Sequence, residues 1–355
     1  MAKGGVSAYA AINARVRAMY SSLLSPLDLA RLSDAPDVLN LVGQLKHTAY
    51  SPYLDNLKDK EFIPRRIVLQ IKGKLADAYH TVIRLSPEHT RPFLTQFYRY
   101  FEVENLKAVL RAIVAGSSWD HVREVLFPIG SLTTLPLQAM VETGNIVAAV
   151  DLLNNTPYAD TLSFAMKRYT AEQNLFPLEV ALDLNYWRQL WREAQQLPVP
   201  DRDQALRIVG ALLDMNNLMW AIRYRVYYQL SEEELINYTL PFGYRLHDED
   251  VRAIAAGVDI PSVVERVYPG ISDVAALLNE PRSGLPKLES QLKRLVMKQC
   301  TATFIGNPFH IGVSLAFLIL SDLEIQDLTI LIEAKFSHAR DDEFRPFLLK
   351  TVLVE

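Results

Sequence analysis

Three stretches decide the fold: FEVENLKAVLRAIV at 101–114, LDMNNLMWAIRYRV at 213–226 and LEIQDLTILIEAKF at 323–336. Superposed, they put Asn105, Asn217 and Asp327 at one position; Asn217 lies 112 residues after Asn105, and Asp327 a further 110. Each is followed by leucine and preceded, three residues earlier, by an acid: Glu102, Asp214 and Glu324. The apolar residues repeat as well: Val103, Leu106, Leu110 and Val114; Met215, Leu218, Ile222 and Val226; Ile325, Leu328, Ile332 and Phe336. Steps of 3, 4 and 4 gather four side chains on one face of an α-helix.

Other segments recur at the same period. FPLEVALDLNYW (176–187) and LPKLESQLKRLV (285–296) share Leu-Glu-x-x-Leu, with Glu179 and Glu289 110 residues apart, and IPRRIVLQIKGKL near Ile67 fills the matching place in the first third. DVLNLVGQLKHTAY (37–50) and NIVAAVDLLNNTPY (145–158) both close on Leu-x-x-Thr-x-Tyr, and DIPSVVERVYPGI (259–271) is a degenerate third copy. Pro128-Ile-Gly130 and Pro241-Phe-Gly243 mark equivalent turns. Val/Ile/Thr alternation bounded by Asn-Gly turns does not occur, so the chain reads as all-α. A period near 110 exceeds the 20–50 residues of solenoid repeats. The expectation is three similar helical subdomains, 1–116, 117–227 and 228–355, packed about a pseudo-threefold axis as a ring or funnel, with an open row of modules as the alternative.

Composition narrows the function. Hydrophobic residues make up 50% and charged ones 22% of 355, the balance of a folded globular protein. A formal charge of −4 gives no electrostatic footprint for nucleic acid. A single cysteine, Cys300, can form neither an internal disulfide nor a thiolate zinc site, which suits a reducing compartment. The first twenty residues lack the apolar core of a signal peptide. The uncharged stretch Phe309–Leu320 is well short of the roughly 20 residues a membrane span needs, and Asp322 and Glu324 follow it, so it reads as a buried helix of a soluble chain.

Catalytic signatures are missing. There is no phosphate-binding Gly-x-x-x-x-Gly-Lys, no Gly-x-Gly-x-x-Gly after a strand, no nucleophile elbow and no His-Glu-x-x-His, and AKGG at 2–5 is too short to cradle a phosphate. LHDEDV (246–251) offers adjacent acids that point in different directions, which fits a helix N-terminus better than a metal; SHARDDEF (337–344) reads as a solvated turn. MWAIRYRVYYQL (219–230) interleaves rings and arginines, but the acidic whole opposes nucleic-acid stacking, and the stretch reads as one helix with a buried and a partner-facing flank. Each third also carries a proline loop between its two long helices, and the last of these, GNPFHIGVS, holds His310 where the second has Pro200. A hinge histidine usually caps a helix or bonds a carbonyl; the sharper reading is a base working with Glu289 or Asp322 in a hydrolase. Asn105, Asn217 and Asp327 are read as boundary groups tying helices or as partner contacts, and Lys287, Arg294 and Lys298 as a basic face for an acidic partner.

NPFHIG (307–312), LEIQDLTILIEAK (323–335), FPLEVALDLNYW, FEVENLKAVLRA (101–112) and the triplication together resemble the central-stalk connector of V/A-type rotary ATPases and ATP synthases, their C subunit, whose eukaryotic counterpart is the d subunit. The resemblance covers nearly the whole chain, though not MAKGG. Asp327 departs from it, standing where asparagine is expected, which puts an amide contact there in question. The resemblance implies a funnel of three subdomains seated on the membrane's proteolipid ring, cytoplasmic and peripheral on the inner face of the plasma membrane. It implies that the end of the axle, formed by the D and F subunits, is received in the funnel, and that torque passes between ring and axle. It implies no catalysis, cofactor, metal or bound nucleotide. Asn307, Pro308, His310 and Gly312 are then structural or interface residues rather than catalytic ones. A helical scaffold of another assembly is the remaining alternative.

Overall fold

The computed structural model describes residues 6–58, 62–271 and 273–350; the amino-terminal AKGG lies outside them. Among these residues there are helices and loops and no β-strand. The first third holds α1 (Val6–Tyr20), α2 (Pro26–Ser33), α3 (Val38–Leu45), α4 (Ser51–Leu54) and the long pair α5 (Pro64–Leu85) and α6 (Arg91–Val114). The middle third holds α7 (Trp119–Val122), α8 (Leu137–Glu142), α9 (Ile146–Asp151), α10 (Ala159–Glu172) and the pair α11 (Phe176–Gln196) and α12 (Asp201–Arg223). The last holds α13 (Glu232–Asn237), α14 (Asp248–Ala255), α15 (Ile260–Val267), α16 (Val274–Asn279), the pair α17 (Pro281–Ala302) and α18 (Ile311–Ser337), and α19 (Asp341–Phe344).

Local chemistry places the boundaries. The repeat that begins Asp37, Asn145 and Asp259 is a set of N-caps: each side chain accepts from a backbone N–H three residues on, Asn40, Ala148 and Ser262, and starts α3, α9 and α15. Ser25 with Asp28, and Ser231 with Glu234, form capping boxes on α2 and α13. Prolines at the first or second position open α5, α6, α11 and α17, where a missing N–H costs no helical bond. The LHDEDV acids do begin a helix, with Asp250 accepting from His247 N at 2.8 Å.

The long helices carry the core. Within each pair α5 packs on α6, α11 on α12 and α17 on α18; between pairs α6 packs on α11, α12 on α17 and α18 back on α5. Contacts therefore run around the six helices and return to the start. α18 also meets α1, α3 and α12. Enclosed in this way, it is buried on every face from Ile311 to Ser321, which is why its sequence has no polar side. No helix among the described residues is long and apolar enough to cross a membrane.

Two expectations need correction. Val114 and Phe336, the last members of their apolar seams, are 62% and 50% exposed, each lying in the final turn of its helix. The stretch 219–230 is not one helix with two flanks: α12 ends at Arg223 and continues as a π-helical turn over Tyr224–Tyr228. Rings of that turn, Tyr224 and Tyr228, pack with Tyr238 around Phe176, so its aromatics make a local cluster.

Candidate functional site at the meeting of the long helices

The repeat asparagines are backbone clasps. Asn105 Nδ2 donates to Phe127 O at 2.9 Å while its Oδ1 accepts from Phe127 N at 2.7 Å. Asn217 does the same with Leu240, at 2.8 and 3.0 Å. Asp327 keeps the geometry and changes the chemistry: its two oxygens accept from Leu349 N at 2.7 Å and Lys350 N at 3.0 Å. A segment offering one N–H and one C=O requires an amide, whereas one offering two N–H groups requires a carboxylate. The departure at Asp327 is thereby explained. All three are buried, and each fixes a stretch of loop 22 or 23 residues downstream of its helix position.

The acids three residues earlier tie more distant segments. Glu102 accepts from the hydroxyls of Tyr158 and Thr133. Glu324, fully buried, accepts from Tyr50 Oη at 2.8 Å, Leu24 N at 2.6 Å, Lys74 Nζ at 3.1 Å and Lys350 Nζ at 2.8 Å, joining both ends of the chain to α18. Burial alone would raise the Glu324 carboxyl; Lys74, Lys350 and Tyr50 outweigh it and hold the pKa below the usual carboxylate value. Asp214 accepts from Tyr244 N and Arg245 N at 2.8 and 2.6 Å, and its charge acts on Tyr268, the third copy of the repeat tyrosine.

At one end of the long helices the three proline loops converge. His89, Asp201 and Ile311 stand 112 and 110 residues apart, the repeat spacing, and meet: Asp201 Oδ2 lies 3.0 Å from His89 Nε2 and its Oδ1 accepts from Ile311 N at 2.8 Å. His310 caps α18, its Nδ1 accepting from Gly312 N at 3.1 Å, with the Asn307 backbone also in range. Burial lowers its pKa, and Asp201 opposes that. Gly312 fits against the ring closely: a Cβ there would stand 2.9 Å from His310 Nδ1 and 3.1 Å from Gln204 Cβ. Asn307 accepts from Phe309 N at 3.1 Å and Pro308 is half-buried, so the NPFHIG motif builds a turn and a cap. The hydrolase reading does not survive this. Asp322 is twelve residues along α18 from His310, about 18 Å at the helical rise, and Glu289 is taken by Arg223 and by Lys293 at 2.9 Å.

Midway along, the six helices enclose a recess of about 150 Å³. Residues five places before each clasp, Tyr100, Leu212 and Asp322, all line it, as do Asn216 and Gln326 one place before theirs. Its walls differ. Tyr79, Phe97, Tyr100, Phe101, Tyr186 and Trp187 from α5, α6 and α11 are all aromatic, whereas α12, α17 and α18 contribute the polar groups Asn216, Glu289, Lys293, Asp322 and Gln326 among apolar neighbours such as Leu212 and Ile319. Burial raises the Asp322 pKa, against the Gln326 hydrogen bond and the charges of Lys293 and Lys72.

Ion pairs brace the seams around the recess. Arg111 on α6 grips Glu179 on α11 through two bonds of 2.6 and 2.8 Å, and Arg223 on α12 pairs with Glu289 on α17. Lys107 on α6 bonds Asp183 on α11 at 2.8 Å. Burial lifts the Asp183 carboxyl to about 6, although Lys107 pulls the other way. Burial also penalises the Lys107 ammonium, but Asp183 and Glu104 hold its pKa above the ordinary lysine value. Of the basic face on α17, Lys287 and Lys298 are exposed, while Arg294 donates to the carbonyls of Pro346 and Leu348 and so anchors the C-terminal segment. Among the described residues no three His, Cys, Asp or Glu side chains converge as metal ligands.

Sequence reasoning singles out the clasp positions, the hinge histidine and the Glu179 and Glu289 arms of two seams, without their arginine partners. It misses Asp201, Asp183 and the recess, although counting back five residues from each clasp leads to three of the residues that line it.

The family described as "ATP synthase (C/AC39) subunit" matches residues 12–346. The chain is similar to the A-type ATP synthase C subunit of Methanocaldococcus jannaschii, 25% identical over 345 residues, covering 96% of this chain and 86% of that one. The A-type ATP synthase C subunit of Methanobrevibacter smithii is 26% identical over 333 residues, covering 92% and 84%. That of Archaeoglobus fulgidus is 23% identical over 342 residues, covering 94% of both chains.

Proposed function

The chain belongs to the ATP synthase (C/AC39) subunit family, a non-catalytic stalk component of rotary ATP synthases, and from that premise we propose that it is the rotor's connector. In this reading it sits on the cytoplasmic face of the membrane proteolipid ring and receives the end of the axle, the D and F subunits. It passes torque between them, coupling proton or sodium movement to ATP synthesis or hydrolysis performed elsewhere. The three modules stand about a pseudo-threefold axis through the recess. Their working units run across the divisions 1–116, 117–227 and 228–355, since Asn105 clasps Phe127 and Asn217 clasps Leu240.

The observation that carries this reading is the circuit of helix contacts with a charged brace on each seam: Arg111–Glu179, Arg223–Glu289 and Lys74–Glu324. A coupling part must twist as one body. Close-packed helices resist deformation; the tie at the fully buried Glu324 loses much energy when separated, while the partly solvated Arg111–Glu179 and Arg223–Glu289 pairs fix register more than strength. The experiment is purification of the tagged chain from detergent-solubilised host membranes. Recovery of the D and F subunits with a small, very hydrophobic proteolipid supports the connector. A chain that elutes alone, or with unrelated soluble proteins, refutes it.

A further inference from the structure

We propose that the recess between the long helices is a receptor for one arginine side chain, presented by the end of the axle; the partner rests on the function proposed above, the chemistry on the recess itself. A space of about 150 Å³ admits a single long side chain and not a helix, which is about 10 Å across with its side chains. The entrant is therefore a side chain, whatever carries it.

The walls specify its kind. Tyr100 is 38% exposed although it lies among the long helices, so its ring presents open surface to the recess. Asp322 on α18 lines the same recess, and its charge acts on both Tyr79 and Tyr100. Aromatic rings and a carboxylate lining one recess make an environment that holds an organic cation by cation–π attraction and a charge-assisted hydrogen bond.

Asp322 has neither the cations that the following acids have nor the two backbone N–H donors that satisfy Asp214 and Asp327. Glu324 has two lysines, Asp183 has Lys107 and Glu289 has Arg223 and Lys293. Among the described residues the hydrogen bond to Asp322 comes from Gln326 Nε2 at 2.8 Å, on its own helix, and no cation stands within ion-pair distance. Lys293 is turned to Glu289 at 2.9 Å, and Lys72 acts on Asp322 from longer range. Gln326, having given its nitrogen to Asp322, keeps its carbonyl oxygen as an acceptor. Two carboxylate oxygens beside an amide oxygen match the fork of a guanidinium, and a planar guanidinium stacks on a tyrosine face where a compact ammonium does not. The hydrocarbon stem of an arginine would lie against the apolar lining.

The test uses the intact chain and two isosteric probes, butylguanidinium and neutral butylurea, titrated calorimetrically, with Asp322→Asn and Tyr100→Leu as variants. Butylguanidinium is expected to bind wild type at least about tenfold more tightly than butylurea. Asp322→Asn should abolish that discrimination, and Tyr100→Leu should weaken butylguanidinium severalfold. Equal binding of the two probes to wild type, or discrimination unchanged in Asp322→Asn, overturns the assignment. In parallel the purified axle subunits are titrated against wild type and Asp322→Asn, with at least a tenfold loss expected. Axle binding to both alike overturns this inference and leaves the connector standing. A wild-type chain that does not bind the axle at all overturns the connector and, with it, the partner named here.

Discussion

Replacing Asn105 with aspartate tests whether the clasps are chosen by the groups they hold. Asn105 is 4% exposed and exchanges two bonds with Phe127, one donated to the carbonyl and one accepted from the N–H. An ionised aspartate keeps the second bond and turns an anionic oxygen toward Phe127 O. A protonated one restores both, its O–H donating where the amide nitrogen did. The cost at any pH is therefore capped by the work of protonating the side chain in the fold. With an unfolded pKa near 3.9 and about 1.4 kcal/mol per pH unit, the cap is about 5 kcal/mol at pH 7.5 and about 1.5 kcal/mol at pH 5. The sign follows: a carboxyl whose folded pKa is raised contributes full stability at low pH and loses it as pH rises toward that pKa.

Urea unfolding of wild type and Asn105→Asp at the two pH values reads this directly. A loss of about 3–5 kcal/mol at pH 7.5 should shrink to about 1–2 kcal/mol at pH 5. A loss that is equal at both pH values, or below about 1 kcal/mol at pH 7.5, refutes the reasoning. The reciprocal change, Asp327→Asn, sets an amide against two backbone N–H groups and leaves one without an acceptor, at about 1–3 kcal/mol at neutral pH.

The remaining expectations concern the interior charges and the hinge. Glu324→Gln should cost about 3–5 kcal/mol at pH 7, since Lys74 and Lys350 would stay in place without their anion; because the Glu324 pKa is depressed, the wild-type advantage should fade as pH drops through its folded value, and an advantage independent of pH would contradict the assignment. Asp183, lifted to about 6 by burial, binds its proton more tightly folded than unfolded, so wild type should lose up to roughly 3 kcal/mol relative to Asp183→Asn as pH rises from 4 to 7; thermal melts across that range check it. His310→Ala removes a helix cap and should lower stability by about 1 kcal/mol while leaving axle binding intact, and a larger effect on binding than on melting would show that His310 is an interface group after all.

The helices, the period and the clasp positions were legible because they depend on chain-local rules: apolar spacing, caps and proline punctuation. The partners of the clasps were not, since Phe127, Leu240 and Leu349 are reached through backbone atoms whose availability no side-chain pattern records. Asp183 and Lys107 carry no sequence signal of their own; 76 residues apart, they become an interior pair only where α6 meets α11. Asp201 was hidden in a proline loop because its role arises from three loops converging, a fact of tertiary packing.

The unequal seams follow from how the chain closes on itself. Arg111 and Arg223 occupy one repeat position, and the third copy is Glu333, which is exposed. Glu179 and Glu289 occupy the facing position, and the third copy, counted from Ile67, is Val68. The seam between α18 and α5 thus lacks the Arg–Glu brace of the other two. At the other seams the intervening chain, α7–α10 or α13–α16, connects the two helices; α18 and α5 are not consecutive among the long helices, and their junction is made by packing and side-chain bonds. A peripheral, partly solvated pair contributes little to such a junction. The chain instead brings Leu24, Tyr50, Lys74 and Lys350 to the fully buried Glu324, where separating the partners leaves charges without water or counter-charge. The α18–α5 junction, formed by helices that are not consecutive in the chain, is thus the one that holds the deepest ionic tie, Glu324 with Lys74 and Lys350.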